Sequence, residues 1–306
     1  MTLRVLDLFA GPGGLALGFA RKGFDVTGFD INRLVPDIFA MNAIGKAKVM
    51  DLSQRIPEDS AEIITGGPPC RPWSAVNLTR RGPEHPDHGL VEAYCRVVEQ
   101  RRPLLFVLEN VIQAGREIER NLARLRSHYS VWTGLFCYGD WGAATLRRRL
   151  FAIGVRKDVN RRPEDVLDAL HMRRKRPQTV REAIGYLAEG NVRDPDHVHL
   201  EFRTIERYRE RYQTGKYGWY ILAWDRPAPS FGNVARTYIL HPDSNNGMKP
   251  RVISVREALC IMGFPRDFRF PGGTSVTVRY QMVADAVSPV FSEELAGAIR
   301  DVMEDL

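Results

Sequence analysis

Four short segments of the chain bring together residue types that can do chemistry. The first is Gly66-Gly67-Pro68-Pro69-Cys70-Arg71-Pro72-Trp73-Ser74, which follows an apolar stretch. Two glycines and three prolines make a stiff loop that can hold one thiol in one orientation, and Arg71 beside Cys70 favours the nucleophilic thiolate. The chain has four scattered cysteines, Cys70, Cys95, Cys137 and Cys260, and none forms a CxxC pair. The ordinary reading of such a cysteine is a small packing residue; only Cys70 has a context that argues otherwise.

The second segment is Glu109-Asn110-Val111, directly after the apolar run Pro103–Leu108. A carboxyl group there is either a helix-cap partner or a catalytic group, and partial desolvation would let it donate a proton near neutral pH. The third is Leu146-Arg147-Arg148-Arg149-Leu150, entering another apolar run. Strand alternation points Arg147 and Arg149 the same way; the plain alternative is a solvated basic edge. The fourth is Asp7-Leu8-Phe9-Ala10-Gly11-Pro12-Gly13-Gly14-Leu15. Its glycines allow a ligand to approach the backbone closely, but no glycine occupies position 16, so it is not the Gly-x-Gly-x-x-Gly dinucleotide fingerprint. Asp30 ends the next strand, where a carboxylate can accept ribose hydroxyls. By itself the segment is equally consistent with a tight turn.

The elements that must position these groups alternate between strand and helix. Strands are expected at Leu3–Phe9, Phe24–Phe29, Glu62–Thr65, Pro103–Leu108 and Arg149–Val155, and helices at Gly89–Arg101 and Arg116–Ser127. The continuous apolar run at 103–108 is typical of a parallel strand buried on both faces. The alternation predicts a doubly wound α/β fold with a mostly parallel sheet, whose active site gathers at the carboxyl ends of the strands. After about Arg156 the pattern degrades into a polar region rich in Gly, Pro and aromatics. Regularity returns at Ser254–Met262, where Ser254 and Glu257 form a capping box, and a last helix is expected from Ser292 to Met303, with Ser292 as N-cap. The implied division is 1–158 for a catalytic domain, 159–250 for a recognition domain and 251–306 for a C-terminal segment whose final helix returns to the large domain.

Composition narrows the class of protein. Of 306 residues, 44% are hydrophobic and 26% charged, as in globular enzymes. No apolar run reaches about 18 residues and the N-terminus reads as a strand, so neither a membrane span nor a signal peptide is expected, and the protein should act in the cytoplasm. The net charge of +7 suits a polyanionic partner. His197 and His199 lack a third ligand at metal spacing, so no metal is expected. Trp219, Tyr220, Trp224 and Tyr238 divide between packing and contact with a partner.

The four segments, taken in chain order, resemble the motifs of the DNA cytosine-5 methyltransferases. Asp7–Phe19 is similar to that family's first cofactor motif, Gly67-Pro68-Pro69-Cys70 with Ser74 to its catalytic loop, and Glu109-Asn110-Val111 to its Glu-Asn-Val motif. Arg147 and Arg149 fall where its paired arginines fall. Arg251–Phe268 resembles its ninth motif and Tyr280–Pro289 its tenth. Residues 160–250 fall where the family carries its target-recognition region. The chain departs from the family at Arg71, where Gln is usual, at Trp73, where Phe is common, at Ala143-Ala144-Thr145 in place of Val-Pro-Gln, and at Ala284-Asp285 in place of Gly-Asn.

The resemblance implies S-adenosyl-L-methionine as cofactor, held by Phe9, Gly11, Gly13, Gly14, Leu15, Asp30, Ile31, Asp51, Leu52, Pro68, Asp285 and Ala286. It implies Cys70 as nucleophile, Glu109 at the target base, and Arg147 with Arg149 on its O2 side. It further implies a monomer acting on duplex DNA, with Ser74, Asn77, Arg80, Arg81, Arg236 and Tyr238 facing the DNA, and a restriction endonuclease as functional counterpart. Two alternatives stay open at this point: a tRNA methyltransferase of the same family, and a catalytically silent DNA-binding relative.

Overall fold

The computed structural model describes residues 2–73, 84–189, 194–200, 205, 212, 220–234, 239–245 and 249–304. Its strands are β1 (Arg4–Leu8), β2 (Asp25–Asp30), β3 (Lys46–Val49), β4 (Ile63–Gly66), β5 (Leu105–Asn110), β6 (Tyr129–Cys137) and β7 (Arg148–Arg156). Its helices are α1 (Gly14–Arg21), α2 (Val35–Met41), α3 (Leu90–Arg101), α4 (Gly115–Leu122), α5 (Pro163–His171), α6 (Val180–Ile184), α7 (Val255–Ile261), α8 (Val276–Asp285) and α9 (Pro289–Met303). Among the described residues no helix is long and apolar enough to cross a membrane.

The strands form one sheet in the order β3-β2-β1-β4-β5-β7-β6. The first five run parallel, while β7 is antiparallel to both β5 and β6. This is the mostly parallel α/β sheet that the sequence predicts. Chain order reverses between β1 and β4: β2 and β3 build outward on one side, β5 on the other. A sheet that winds both ways must leave a crevice at that point, outside the carboxyl ends of the two central strands.

Alternation decides which side chains form the core. Leu6, Leu8, Ile64, Phe106 and Leu108 pack with Tyr94 and Val98 of α3 and Ile118 and Leu122 of α4. The alternate set, Val5, Ile63, Leu105 and Val107, is just as buried. Both faces are therefore covered, as a parallel sheet requires. The Tyr94 hydroxyl donates to the carbonyls of Ile64 at 3.2 Å and Val107 at 2.8 Å, fixing α3 across β4 and β5.

Two compact units emerge. One comprises Met1–Cys137, Arg148–Arg174 and Ser292–Leu306; the other, Tyr138–Arg147 and Lys175–Phe291. In the second unit Ser254 caps α7, with Glu257 completing the expected capping box. Glu257 also takes a bidentate ion pair from Arg251, at 2.8 Å on each side. Arg256, 2% exposed, reaches Asp194 at 2.5 Å and the Phe268 carbonyl at 2.7 Å, so charge pairing holds this polar region together.

Two helix ends differ from expectation. The segment expected to be helical to Ser127 stops at Leu122 and continues as turns. The final helix begins at Pro289, not after Ser292. Proline suits a first helical turn because its missing N–H would be unpartnered there anyway. Ser292 is thereby freed from capping; its hydroxyl donates to the Leu15 carbonyl of α1. At this crossing α1 presents Gly18, where a Cβ would lie 2.3 Å from the Ser292 carbonyl carbon and 2.4 Å from the Glu293 nitrogen. Helix propensity favours Gly18→Ala by about 1 kcal/mol, but a backbone-to-backbone clash cannot be relieved by a rotamer change. We predict that overpacking wins and that Gly18→Ala lowers unfolding free energy by about 1–3 kcal/mol, measured by urea titration; a neutral or stabilised variant would contradict this packing.

Candidate active site

The placement of the site follows from strand register. Leu8 pairs with Gly66, and Gly66 with Leu108. These three residues therefore stand at one level: β1 and β4 end there, β5 runs on through Glu109 and Asn110, and Phe9, Gly67 and Glu109 are the next residue of each. The glycine turn, the cysteine loop and the carboxylate leave the sheet side by side.

Glu109 is the last but one residue of β5 and only 7% exposed. Its cross-strand partner is Phe151, two residues beyond Arg149 on β7. Arg149 Nε lies 3.1 Å from Glu109 Oε1, and both side chains are largely buried. Gly67 packs on the same carboxylate: a Cβ there would sit 3.0 Å from Oε2. The loop ending at Cys70 is thus pressed against a carboxylate whose charge a guanidinium compensates.

Asn110 braces the arrangement. Its side chain is 1% exposed, its Nδ2 donates to the Pro68 carbonyl at 2.9 Å, and its Oδ1 accepts from the Val111 N–H at 2.8 Å. Cys70 is partly exposed, and its carbonyl accepts from Trp73 N–H at 3.0 Å. All four cysteines are thiols. Burial pushes Cys95 up to about 12 and also raises Cys260, whose sulfur meets the Tyr186 hydroxyl at 3.3 Å; neither is a nucleophile. Arg71 is 67% exposed and pairs with Asp87 at 3.7 Å.

The glycine turn is strained where a ligand would meet it. Phe9 has φ 57°, uncommon for an aromatic residue, and Gly11 and Gly13 have φ 54° and 81°. Gly13 cannot be replaced without a clash, since a Cβ would lie 2.7 Å from Ile44 Cδ1, whereas the Cβ direction of Gly11 meets no atom within 4 Å. Gly14 starts α1, and Leu15 is buried. Asp30, at the end of β2, accepts from Gly11 N–H and Asn32 N–H, both at 2.8 Å. Burial raises its pKa, against the pull of the N–H groups of Asn32, Gly11 and Ile31. Ile31 beside it is 67% exposed, a large apolar side chain on the surface. Asp51 accepts from the N–H and hydroxyl of Ser53 at 2.9 and 2.6 Å, and Leu52 is buried.

The remaining expected residues are placed differently. Arg147 belongs to the second unit and precedes β7, so strand alternation does not extend to it. It is 3% exposed; Nη1 donates to the Phe231 carbonyl at 2.9 Å and Nη2 to the Ala284 carbonyl. Within its unit it ties two backbone segments together. Asp285, exposed, closes α8 and accepts from Gln281 at 2.9 Å, and Ala286 is buried; both are in the second unit. Ser74, Asn77, Arg80, Arg81, Arg236 and Tyr238 lie outside the described residues. His197 meets Ser254 at 2.9 Å and stacks edge-on against His199; burial lowers the pKa of both. Among the described residues no group of three or more His, Cys, Asp or Glu side chains could hold a metal ion.

The brace is testable. Asn110→Ala strands the buried Pro68 carbonyl, so we expect a stability loss of about 1–3 kcal/mol in urea and faster reaction of Cys70 with a thiol reagent, read on a background with the other cysteines replaced. An unchanged modification rate would mean that Asn110 does not hold the loop.

Comparison with known proteins bears on this arrangement. A family model described as C-5 cytosine-specific DNA methylase matches residues 3–301. The type II methyltransferase M.FnuDI of Fusobacterium nucleatum is 27% identical over 337 residues, covering 99% of this chain and 96% of its own. The type II methyltransferase M.MthTI of Methanothermobacter thermautotrophicus is 28% identical over 340 residues, covering 99% of each. The crystal structure of the S. pombe Dnmt2 methyltransferase has the same fold, with a TM-score of 0.71 at 16% identity over 99% of each chain. The family match leaves almost none of the chain outside it, and the protein belongs to the C-5 cytosine-specific DNA methylase family.

Proposed function

We propose that the protein methylates C5 of a cytosine in duplex DNA, with Cys70 as covalent nucleophile and S-adenosyl-L-methionine as methyl donor. The observation that carries this reading is the Glu109–Arg149 pair, 3.1 Å apart, set against the loop that ends in Cys70. A thiol, a carboxyl group and a compensating guanidinium at adjoining strand ends suit an attack that builds negative charge on a pyrimidine ring.

The residues on the cofactor side fit the donor. The open face at Gly11 and the strained turn suit close backbone approach to its methionine part, Asp30 suits ribose hydroxyls, and exposed Ile31 with Leu52 suits an adenine ring. When bound, S-adenosylmethionine supplies an electrophilic methyl group. Phe9, Gly13, Gly14, Leu15, Asp51 and Pro68 complete this wall in our reading.

C5 of cytosine is a poor nucleophile. Addition of the Cys70 thiolate to C6 breaks the ring's aromaticity and makes C5 electron-rich. Glu109, sharing a proton with N3 and accepting from the exocyclic amine, stabilises the adduct. Arg149 balances the carboxylate and covers the O2 side. Loss of the C5 proton and departure of Cys70 restore the aromatic ring. The face that Cys70 attacks is covered inside a duplex, so the base must leave the stack at a cost of a few kcal/mol. Because the relatives above are named type II methyltransferases, the reading includes protection of DNA against a partner endonuclease, in the cytoplasm of a prokaryote.

The test uses methyl-labelled S-adenosylmethionine with duplex DNA or tRNA. We expect label in DNA, a fall of at least about a thousandfold in Cys70→Ser, and a fall of about 10²–10⁴ in Glu109→Gln with cofactor binding retained. Label in tRNA alone would replace the substrate, and label in neither would favour a silent relative.

A further inference from the structure

One buried acid is left unused by this mechanism. Asp7 lies on β1, two residues before Phe9, and is 1% exposed. Its Oδ1 accepts from the Thr65 hydroxyl at 2.7 Å, while Oδ2 is buried and, among the described residues, has no partner at hydrogen-bond distance, the Ala16 N–H being a weaker neighbour. Thr65 is its register partner on β4 and immediately precedes Gly66 and Gly67. Asp7 therefore sits beneath the glycine turn and is bonded to the strand that carries the cysteine loop.

The groups around it offer no counter-charge. Asp30 faces it from β2, Thr65 from β4, the Ala16 N–H from α1 and the Tyr94 hydroxyl from α3. None of these is a cation, and Asp30 repels a second carboxylate. Burial, helped by Asp30 and opposed by Thr65 and Ala16, pushes Asp7 up to about 7. That puts the group near balance between its two forms at about pH 7.

We propose that Asp7 reads the charge of whatever occupies the glycine turn, giving up its proton to a cationic occupant and keeping it for a neutral one. The proposal rests on the reading of S-adenosylmethionine as cofactor. That donor carries a sulfonium; once the S–CH₃ bond has broken, the product is a neutral thioether. The Asp7 O–H bond breaks as the donor binds, its proton passing to solvent, and reforms from solvent when the positive charge is gone. Asp7 acts by its field and is a positioning residue. It favours donor over product at the same pocket, with the ribose bonds of Asp30 common to both.

Titration calorimetry in two buffers of different ionisation heat tests this, with S-adenosylmethionine and S-adenosylhomocysteine as the two ligands. At about pH 7 the donor should release about half a proton per site, and its affinity should fall about tenfold from about pH 8 to about pH 6, while the product's affinity changes less than about threefold. Asp7→Asn should abolish the release and flatten the donor's pH dependence. Thr65→Val, which removes the bond that steadies the ionised form, should move the midpoint to higher pH. Equal pH dependence for the two ligands, or undiminished release in Asp7→Asn, would overturn the proposal. If Asp7→Asn does not fold, the wild-type contrast and Thr65→Val decide it. Failure of both ligands to bind would remove the cofactor reading and this inference together.

Discussion

The register of three parallel strands, β1, β4 and β5, imposes the constraint on which the rest of this site depends. Hydrogen-bonded register allows Leu8, Gly66 and Leu108 only one alignment, because a slip of one residue would turn every core side chain of a strand to the opposite face. With both faces of the sheet buried, such a slip sets each side chain against neighbours shaped for a different one. The same burial that stabilises the sheet therefore sets the glycine turn, the cysteine loop and Glu109 at adjoining positions. The reversal of strand order between β1 and β4 adds a crevice at that place.

The site is built from carboxylates held under different electrostatic terms. Glu109 has a guanidinium at 3.1 Å. Asp30 has backbone N–H groups, two of them at 2.8 Å, which oppose but do not cancel the effect of burial. Asp7 has one hydroxyl and a neighbouring negative charge, and burial pushes it up to about 7. This gradation follows the rule that desolvation penalises the charged form unless a counter-charge or donors compensate. It gives three acids within a few residues of the strand ends three distinct behaviours: one kept beside its counter-ion at the reacting loop, one accepting hydrogen bonds, and one ready to exchange a proton.

Much of this was legible in the sequence because the signals are local. The run Leu105–Leu108 has no polar residue, Ser254 and Glu257 stand at capping-box spacing, and Cys70 sits in a loop too rich in glycine and proline to be regular structure. The edge strands are harder to read. β3 carries two lysines in four residues and β6 is interrupted by Gly134, since an edge strand pairs on one side only and tolerates polar and small residues. Long-range roles left no local trace. Asn110 was readable as part of Glu-Asn-Val, but its bond to Pro68 depends on β4 lying beside β5. Thr65 looked like an ordinary strand residue until register put it opposite Asp7. The bonds that Arg147 makes to the Phe231 and Ala284 carbonyls are likewise between residues far apart in the chain.

The central claim is that register delivers Cys70 to a pyrimidine ring held by Glu109 and Arg149. Its most direct test is covalent trapping on duplex DNA carrying 5-fluorocytosine, where fluorine in place of the C5 hydrogen prevents release of the enzyme after methyl transfer. With S-adenosylmethionine present, mass spectrometry of the digested complex should find the methylated nucleotide joined to the peptide containing Cys70. A complex joined through any other residue, or methyl transfer to the fluorinated DNA without a covalent bond, would contradict the account.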